Sequence, residues 1–109
     1  MTTSSVRRGD VWVAEMPDDK RRPLLVLTRD PLGRLLPSDV CAPITSTIRG
    51  LPTEVTLGPE PGLVQDSVAN FDHALLLDRS RLIRRLGRAS PVAMEAACGA
   101  LAIATGCRT

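Results

Sequence analysis

Lys20-Arg21-Arg22-Pro23-Leu24-Leu25-Val26-Leu27-Thr28 places three cations directly before five apolar residues. The apolar run has the length and branched content of a strand buried on both faces. The cations therefore stand at the mouth of a rigid core strand. A short acidic turn, Pro17-Asp18-Asp19, lies just upstream. A basic cluster fixed at the end of such a strand can meet a phosphate in a defined geometry.

Upstream of this strand, Gly9-Asp10 signals a turn and residues 11–16 a first strand, so residues 11–28 form a hairpin with an acidic-then-basic loop. Downstream, two prolines and a glycine mark residues 29–38 as a loop. In a third strand over 39–45, Val40, Ala42 and Ile44 alternate with Cys41, Pro43 and Thr45. Pro43 cannot donate a ladder bond and predicts an edge or a bulge there. Residues 53–57 alternate cleanly as a fourth strand, and 58–62 form a Pro-Gly loop. A fifth strand covers 67–72 and can continue to Leu77. One helical turn follows over 78–82, then a last strand over 83–88. Ser90-Pro91 is a cap followed by proline at the first helical position, and Gly106 suits the other end, so a helix is predicted over 91–105. Glu95 is its only charge, which predicts wide burial against its own sheet and a second chain. The fold class is mostly β: a small antiparallel barrel closed by a C-terminal helix.

The chain has 109 residues, 43% of them hydrophobic and 24% charged, which suits one globular domain. Residues 1–8 read as a polar tail and 9–106 as the domain. The tail has no apolar core, so no secretion signal is expected. No apolar run approaches the roughly 18 residues of a membrane span. Cys41, Cys98 and Cys107 are an odd number without CxxC spacing, as expected of free thiols in a reducing cytoplasm. His73 is the only histidine and is not spaced with the cysteines, which argues against zinc. Net charge is only +2, but thirteen of the fourteen basic residues are arginine. Arg79, Arg81, Arg84, Arg85 and Arg88 form a run without an acid, read as a solvated face. Two aromatics, Trp12 and Phe71, are too few for a base-stacking platform.

Residue chemistry alone offers three groups: Arg22 with Lys20 and Arg21, Thr45 with Ser46 and Thr47, and Asp72 with His73. A cation and a hydroxyl at adjacent strand ends could stabilise charge developing on a phosphoryl group. There is no Walker loop, GxSxG, HExxH or EF-hand loop. These residues describe a soluble barrel that binds an anion, and name no reaction.

Arg8-Gly9-Asp10-Val11-Trp12, Arg22-Pro23-Leu24-Leu25-Val26-Leu27, Ala42-Pro43-Ile44-Thr45-Ser46-Thr47, Asp66-Ser67-Val68 and the closing helix occur in an order and spacing that resemble the MazF/PemK (Kid) toxin family over residues 7–105. The resemblance implies an SH3-like, CcdB/MazF-type barrel, a homodimer, and the toxin of a type II toxin–antitoxin system. It implies metal- and cofactor-free cutting of single-stranded RNA (mRNA, rRNA or tRNA) to 2′,3′-cyclic phosphate and 5′-hydroxyl ends. It also implies a cognate, MazE-like antitoxin, a cytoplasmic setting and no membrane. The family's arginine before the strand-2 proline corresponds to Arg22, and its threonine after the strand-3 Pro-Ile pair to Thr45. An aspartate of some members corresponds to Asp72, and the arginine two residues before it is Asn70 here. Arg22, Thr45 and Asp72 are the implied catalytic residues. Asp18, Lys20, Arg21, Ser46, Thr47, Arg49, Asn70 and His73 are the implied RNA contacts. The family's longer first loop, Gly-Ser-Glu-Gln-x-Gly with its acid, is absent, and only Asp18 and Asp19 remain. Two other functions fit the same fold. One is a CcdB-like gyrase poison, disfavoured because Gly106-Cys107-Arg108-Thr109 lacks an aromatic anchor. The other is an inactive module that binds RNA or a partner.

Overall fold

The computed structural model describes residues 6–30, 36–59 and 61–107. Parts of the expected tail, of the loops at 29–38 and 58–62, and of the C-terminal end lie outside the described residues. Among the described residues seven strands are present: β1 (Asp10–Glu15), β2 (Arg21–Val26), β3 (Ser38–Thr45), β4 (Glu54–Leu57), β5 (Ser67–Asn70), β6 (Leu75–Asp78) and β7 (Leu82–Arg88). Short 3-10 turns at Phe71–His73 and Arg79–Arg81 separate the last three, and helix α1 (Pro91–Ala104) ends the fold. The sheet runs β4-β5-β3-β2-β1-β7, and β6 pairs with β3 off that path. Every pairing is antiparallel, as expected of the barrel class.

The opening stretch behaves as its composition demands. Leu25 and Leu27 face one core, with Val11, Ala42, Ile44, Val55, Leu57, Ala69 and Phe71. Leu24 and Val26 face a second core, with Val6, Trp12, Ala14, Met16, Cys41, Leu77 and Leu82. β2 is thus buried on both faces, and side-chain alternation at period two puts neighbours into different cores.

β3 is interior, so the expected edge at Pro43 is not found. Its outer side pairs with β6 through Ser38–Cys41 and with β5 through Ile44–Thr45, leaving Ala42 and Pro43 between the two partners. Val40 turns its carbonyl to Leu27 next to β2, so alternation turns the Pro43 nitrogen to this gap. The missing N–H falls where no ladder bond is needed. The single fifth strand is also divided. Asn70 Oδ1 accepts the Asp72 amide at 3.0 Å and starts the 3-10 turn, after which the chain enters β6.

Residues 6–8 are docked and not a loose tail. Val6 is buried, and the Arg8 guanidinium reaches the Leu27 carbonyl and Cys98 Sγ. The arginine run matches the expected solvated face at Arg84, Arg85 and Arg88, which are exposed, but Arg79 is buried. Arg79 pairs bidentately with buried Asp39, its Nε and Nη2 at 2.9 and 3.0 Å. Arg85 and Arg88 approach buried Asp10 at 3.3 and 3.0 Å. Asp10 also accepts the Arg7 amide at 2.9 Å.

α1 has the expected caps. Ser90 Oγ accepts the Ala93 amide at 3.1 Å. At the far end Cys107 N donates to Ala102 O and Gly106 N to Ile103 O, with Gly106 at φ 74°. This is the paired-bond ending that a left-handed glycine permits. Against its own sheet Ala97 and Ala100 are buried, while Val92 and Ile103 are exposed in the single chain. Among the described residues, no helix is long and apolar enough to cross a membrane.

Candidate active site

One open groove of about 480 Å³ lies where the ends of β2, β3 and β5 meet. It is lined by Met16, Arg22, Pro43, Ile44, Thr45, Thr47, Arg49, Asn70, His73 and Leu75. Its floor is apolar and continuous with the second core through Met16 and Leu75. Its rim carries two guanidiniums, two threonines, an amide and the imidazole.

Strand geometry selects Arg22 over Arg21. Successive side chains alternate faces, and Arg22 shares its face with Leu24 and Val26, over the core that floors the groove. Arg21 stands on the opposite face, opposite Glu15 in the ladder. The tight 16–20 turn is closed by Met16 N to Lys20 O and Asp19 N to Met16 O, each 2.8 Å. Asp19 takes a φ of 66° to allow it. Asp18 Oδ1 accepts the Lys20 amide at 3.1 Å, and its Oδ2 stands 3.6 Å from Arg22 Nη2. The amide bond from Lys20, aided by the nearby Arg22 charge, holds the Asp18 carboxyl below its ordinary value. Arg22 and Asp18 side chains remain 47% and 52% exposed, so water screens the pair and leaves the guanidinium free to engage an anion.

Thr45 ends β3. Its Oγ1 accepts the Thr47 amide at 3.0 Å, which occupies an acceptor position and leaves the hydroxyl proton to donate elsewhere. Loop 46–52 carries Thr47 and Arg49 to the rim; Ser46 is exposed and does not line the groove. Asn70 and His73 reach the rim from the end of β5 and the 3-10 turn. Asp72 does not line it. Its Oδ2 accepts the Thr53 hydroxyl at 2.6 Å, tying the turn to the start of β4. Asp18, Lys20 and Arg21 lie beside the groove on the hairpin.

Among the described residues, no group of three or more His, Cys, Asp or Glu side chains is placed to hold a metal ion. Residues unmarked by sequence reasoning include Met16 and Leu75, whose apolar character reads as core, and Glu54. Glu54 fastens the Arg49 loop, yet a lone acid at a strand start resembles any solvent-facing charge.

A family model described as the PemK-like, MazF-like toxin of type II toxin-antitoxin system matches residues 7–105. The chain belongs to this family. Probable endoribonuclease MazF5 of Mycobacterium tuberculosis (strain ATCC 25618 / H37Rv) is 41% identical over 108 residues, 96% of this chain and 97% of the relative. The solved Mycobacterium tuberculosis toxin MazF-mt6 is 34% identical with a TM-score of 0.83, over 89% of this chain and 96% of that one. An endoribonuclease solved in complex with its cognate antitoxin, from a mycobacterial species, is 28% identical with a TM-score of 0.86, over 96% and 99%. In this PemK/MazF family member the first hairpin turn, 16–20, is short and sets Asp18 beside Arg22.

Proposed function

We propose that this protein is the toxin of a type II toxin–antitoxin pair and an endoribonuclease that cuts single-stranded RNA without a metal ion. The observation that carries this reading is the meeting of Arg22 and Thr45, from different strands, in one groove. In the reaction the ribose 2′-oxygen forms a bond to the adjacent phosphorus and the bond from phosphorus to the 5′-oxygen breaks. The 2′-hydroxyl proton leaves to a base, the 5′-oxygen takes up a proton, and the ends are a 2′,3′-cyclic phosphate and a 5′-hydroxyl. Negative charge builds on the non-bridging oxygens. Arg22 offers them a planar donor fork, and Thr45 donates its free hydroxyl proton. Arginine stays protonated and is a poor base. His73, on the same rim, is the residue type suited to proton transfer near neutral pH, and we assign it that task.

Thr47, Arg49 and Asn70 contact the RNA within the groove, while Lys20, Arg21 and Ser46 follow its backbone outside. Asp18 orients Arg22, and Asp72 holds the 3-10 turn that carries His73. A cognate antitoxin binds the protein, as one binds the relative solved in complex with it, and its place is over the same groove. The three free cysteines suit a reducing cytoplasm. A second copy covers the exposed apolar residues Leu36, Val40 and Leu76 beside Leu101; Val40 and Leu76 are cross-strand neighbours. Light scattering should then give a dimer that Leu76→Glu converts to monomer, and a wild-type monomer at micromolar concentration refutes the pairing.

The deciding test of activity is incubation with a long RNA in EDTA, followed by mapping of the ends. Cuts with 5′-hydroxyl ends, lost in both Arg22→Ala and Thr45→Ala, support the proposal. RNA that survives a large protein excess defeats it. Growth arrest with intact RNA and gyrase-linked DNA breaks would point to the gyrase poison instead.

A further inference from the structure

Loop 46–52 carries Thr47 and Arg49 to the groove but has no core of its own, since Ile48 and Leu51 are exposed. Thr45 Oγ1 holds the Thr47 amide at its start, and a second side chain fastens the segment that follows. The Glu54 carboxylate accepts the Arg49 amide at 3.1 Å through Oε1 and 3.3 Å through Oε2. It also accepts the Gly50 amide at 2.9 Å and the Leu51 amide at 3.2 Å. Glu54 N donates back to Leu51 O at 3.0 Å. Gly50 stands at φ 72°, the left-handed conformation that lets successive N–H groups converge on one anion. Glu54 is also the first residue of β4, opposite Asn70 in the ladder, so the loop is tied to the strand that bears another rim residue.

We propose that Glu54 is a positioning residue for RNA binding: by gripping three successive amides it fixes the loop that presents Arg49 to the groove. This rests on the ribonuclease reading of that groove. A loop of exposed residues would otherwise be ordered only when RNA binds, and that ordering would reduce affinity. Arg22 and Thr45 sit on strands that Glu54 does not hold, so the chemical step is left largely untouched.

The test uses the full chain. Amide hydrogen exchange without RNA is compared between wild type and Glu54→Ala, and cleavage of a short single-stranded RNA is measured for both. Faster exchange is expected at Arg49, Gly50 and Leu51, with β2 and β3 unchanged. KM should rise about tenfold with kcat within about threefold. Arg49→Ala should raise KM similarly, and adding Glu54→Ala to it should raise KM no further. Glu54→Gln keeps an acceptor oxygen and should restore part of both effects; it also serves if the alanine variant folds poorly. Unchanged exchange at the three amides overturns the proposal, as do KM effects that multiply in the double variant. Wild-type protein that cleaves no RNA overturns the ribonuclease reading, while the exchange data still decide the fastening.

Discussion

At Arg22 and Thr45 the chemistry depends on donor geometry as much as on charge. A guanidinium presents a fixed fork, whereas an ammonium is a point charge on a flexible stem. Arg22→Lys should therefore retain only a small part of the activity, and Arg22→Ala should lower kcat by about 10²–10³-fold, the usual cost of a lost oxyanion donor. Thr45→Ser keeps the hydroxyl and should stay within about tenfold of wild type, while Thr45→Val should fall with Arg22→Ala. Single-turnover rates at saturating RNA check both, because they separate chemistry from binding. Equal loss in Thr45→Ser and Thr45→Val would show that the hydroxyl is not the acting group. The basic cluster at a strand mouth was legible from the residues, but Arg22 was singled out from Lys20 and Arg21 by the family resemblance, which sets an arginine before the strand-2 proline. Glu54 was not legible, because its partners are backbone amides, which carry no sequence signal. Asp72 had the right residue type, but its hydrogen bond to Thr53 turns the carboxylate away from the rim.

Elements are held by long-range charge pairs that local pattern cannot reveal. Arg79 reads as part of a solvated arginine run because its acid, Asp39, lies far off in sequence. Asp39 is 2% exposed and Arg79 8%. Removing one partner strands a buried charge, so Arg79→Met should destabilise by about 3–5 kcal/mol in urea unfolding, with Asp39→Asn in the same range. The double change Asp39→Asn/Arg79→Met should cost less than the sum of the two. The 3-10 turn before β7 gives a pH prediction. The Ser80 amide, and then its hydroxyl, hold the Asp78 carboxyl below its ordinary value of 3.8. Because the folded value is the lower one, the stabilisation is present above pH 3.8 and is lost as pH falls through the folded value. Asp78→Ala should lower Tm modestly at neutral pH, with the gap closing in acid; a gap unchanged down to pH 2 would contradict the linkage. The division of the fifth strand was hidden for a related reason. Residues 67–77 form one mostly apolar stretch, and the break rests on Asn70 capping Asp72.

The whole molecule is two cores that share the strands β1, β2 and β3. β2 was readable because the run from Pro23 to Leu27 is apolar at every position, the pattern of a strand segment with no solvent face. The helix was readable in its caps, and within the single chain a small-residue stripe of Ala97 and Ala100 docks on the sheet and leaves Val92 and Ile103 outside. The second core offers a reporter of its own cohesion. Cys41 is 0% exposed within it, packed with Trp12, Leu24, Val26 and Leu77. Burial, reinforced by the Asp39 charge and opposed by Arg79, pushes its thiol up to about 12. The thiolate is the reactive form, so Cys41 is closed to reagents both by packing and by protonation. Cys98 and Cys107 are exposed. Native protein should therefore titrate two thiols at once with a disulfide reagent, and the third only through opening of the core. When reclosing outpaces labelling, the third rate follows the equilibrium population of the open form. Leu24→Ala, which cuts into the wall of that core, should destabilise by about 2–5 kcal/mol and speed labelling of Cys41 by the matching factor of tenfold per 1.4 kcal/mol. Leu57→Ala lies in the other core. Equal acceleration by the two at equal loss of stability means that the cores open together, whereas acceleration by Leu24→Ala alone means that the second core opens by itself and that the shared strands do not couple the two.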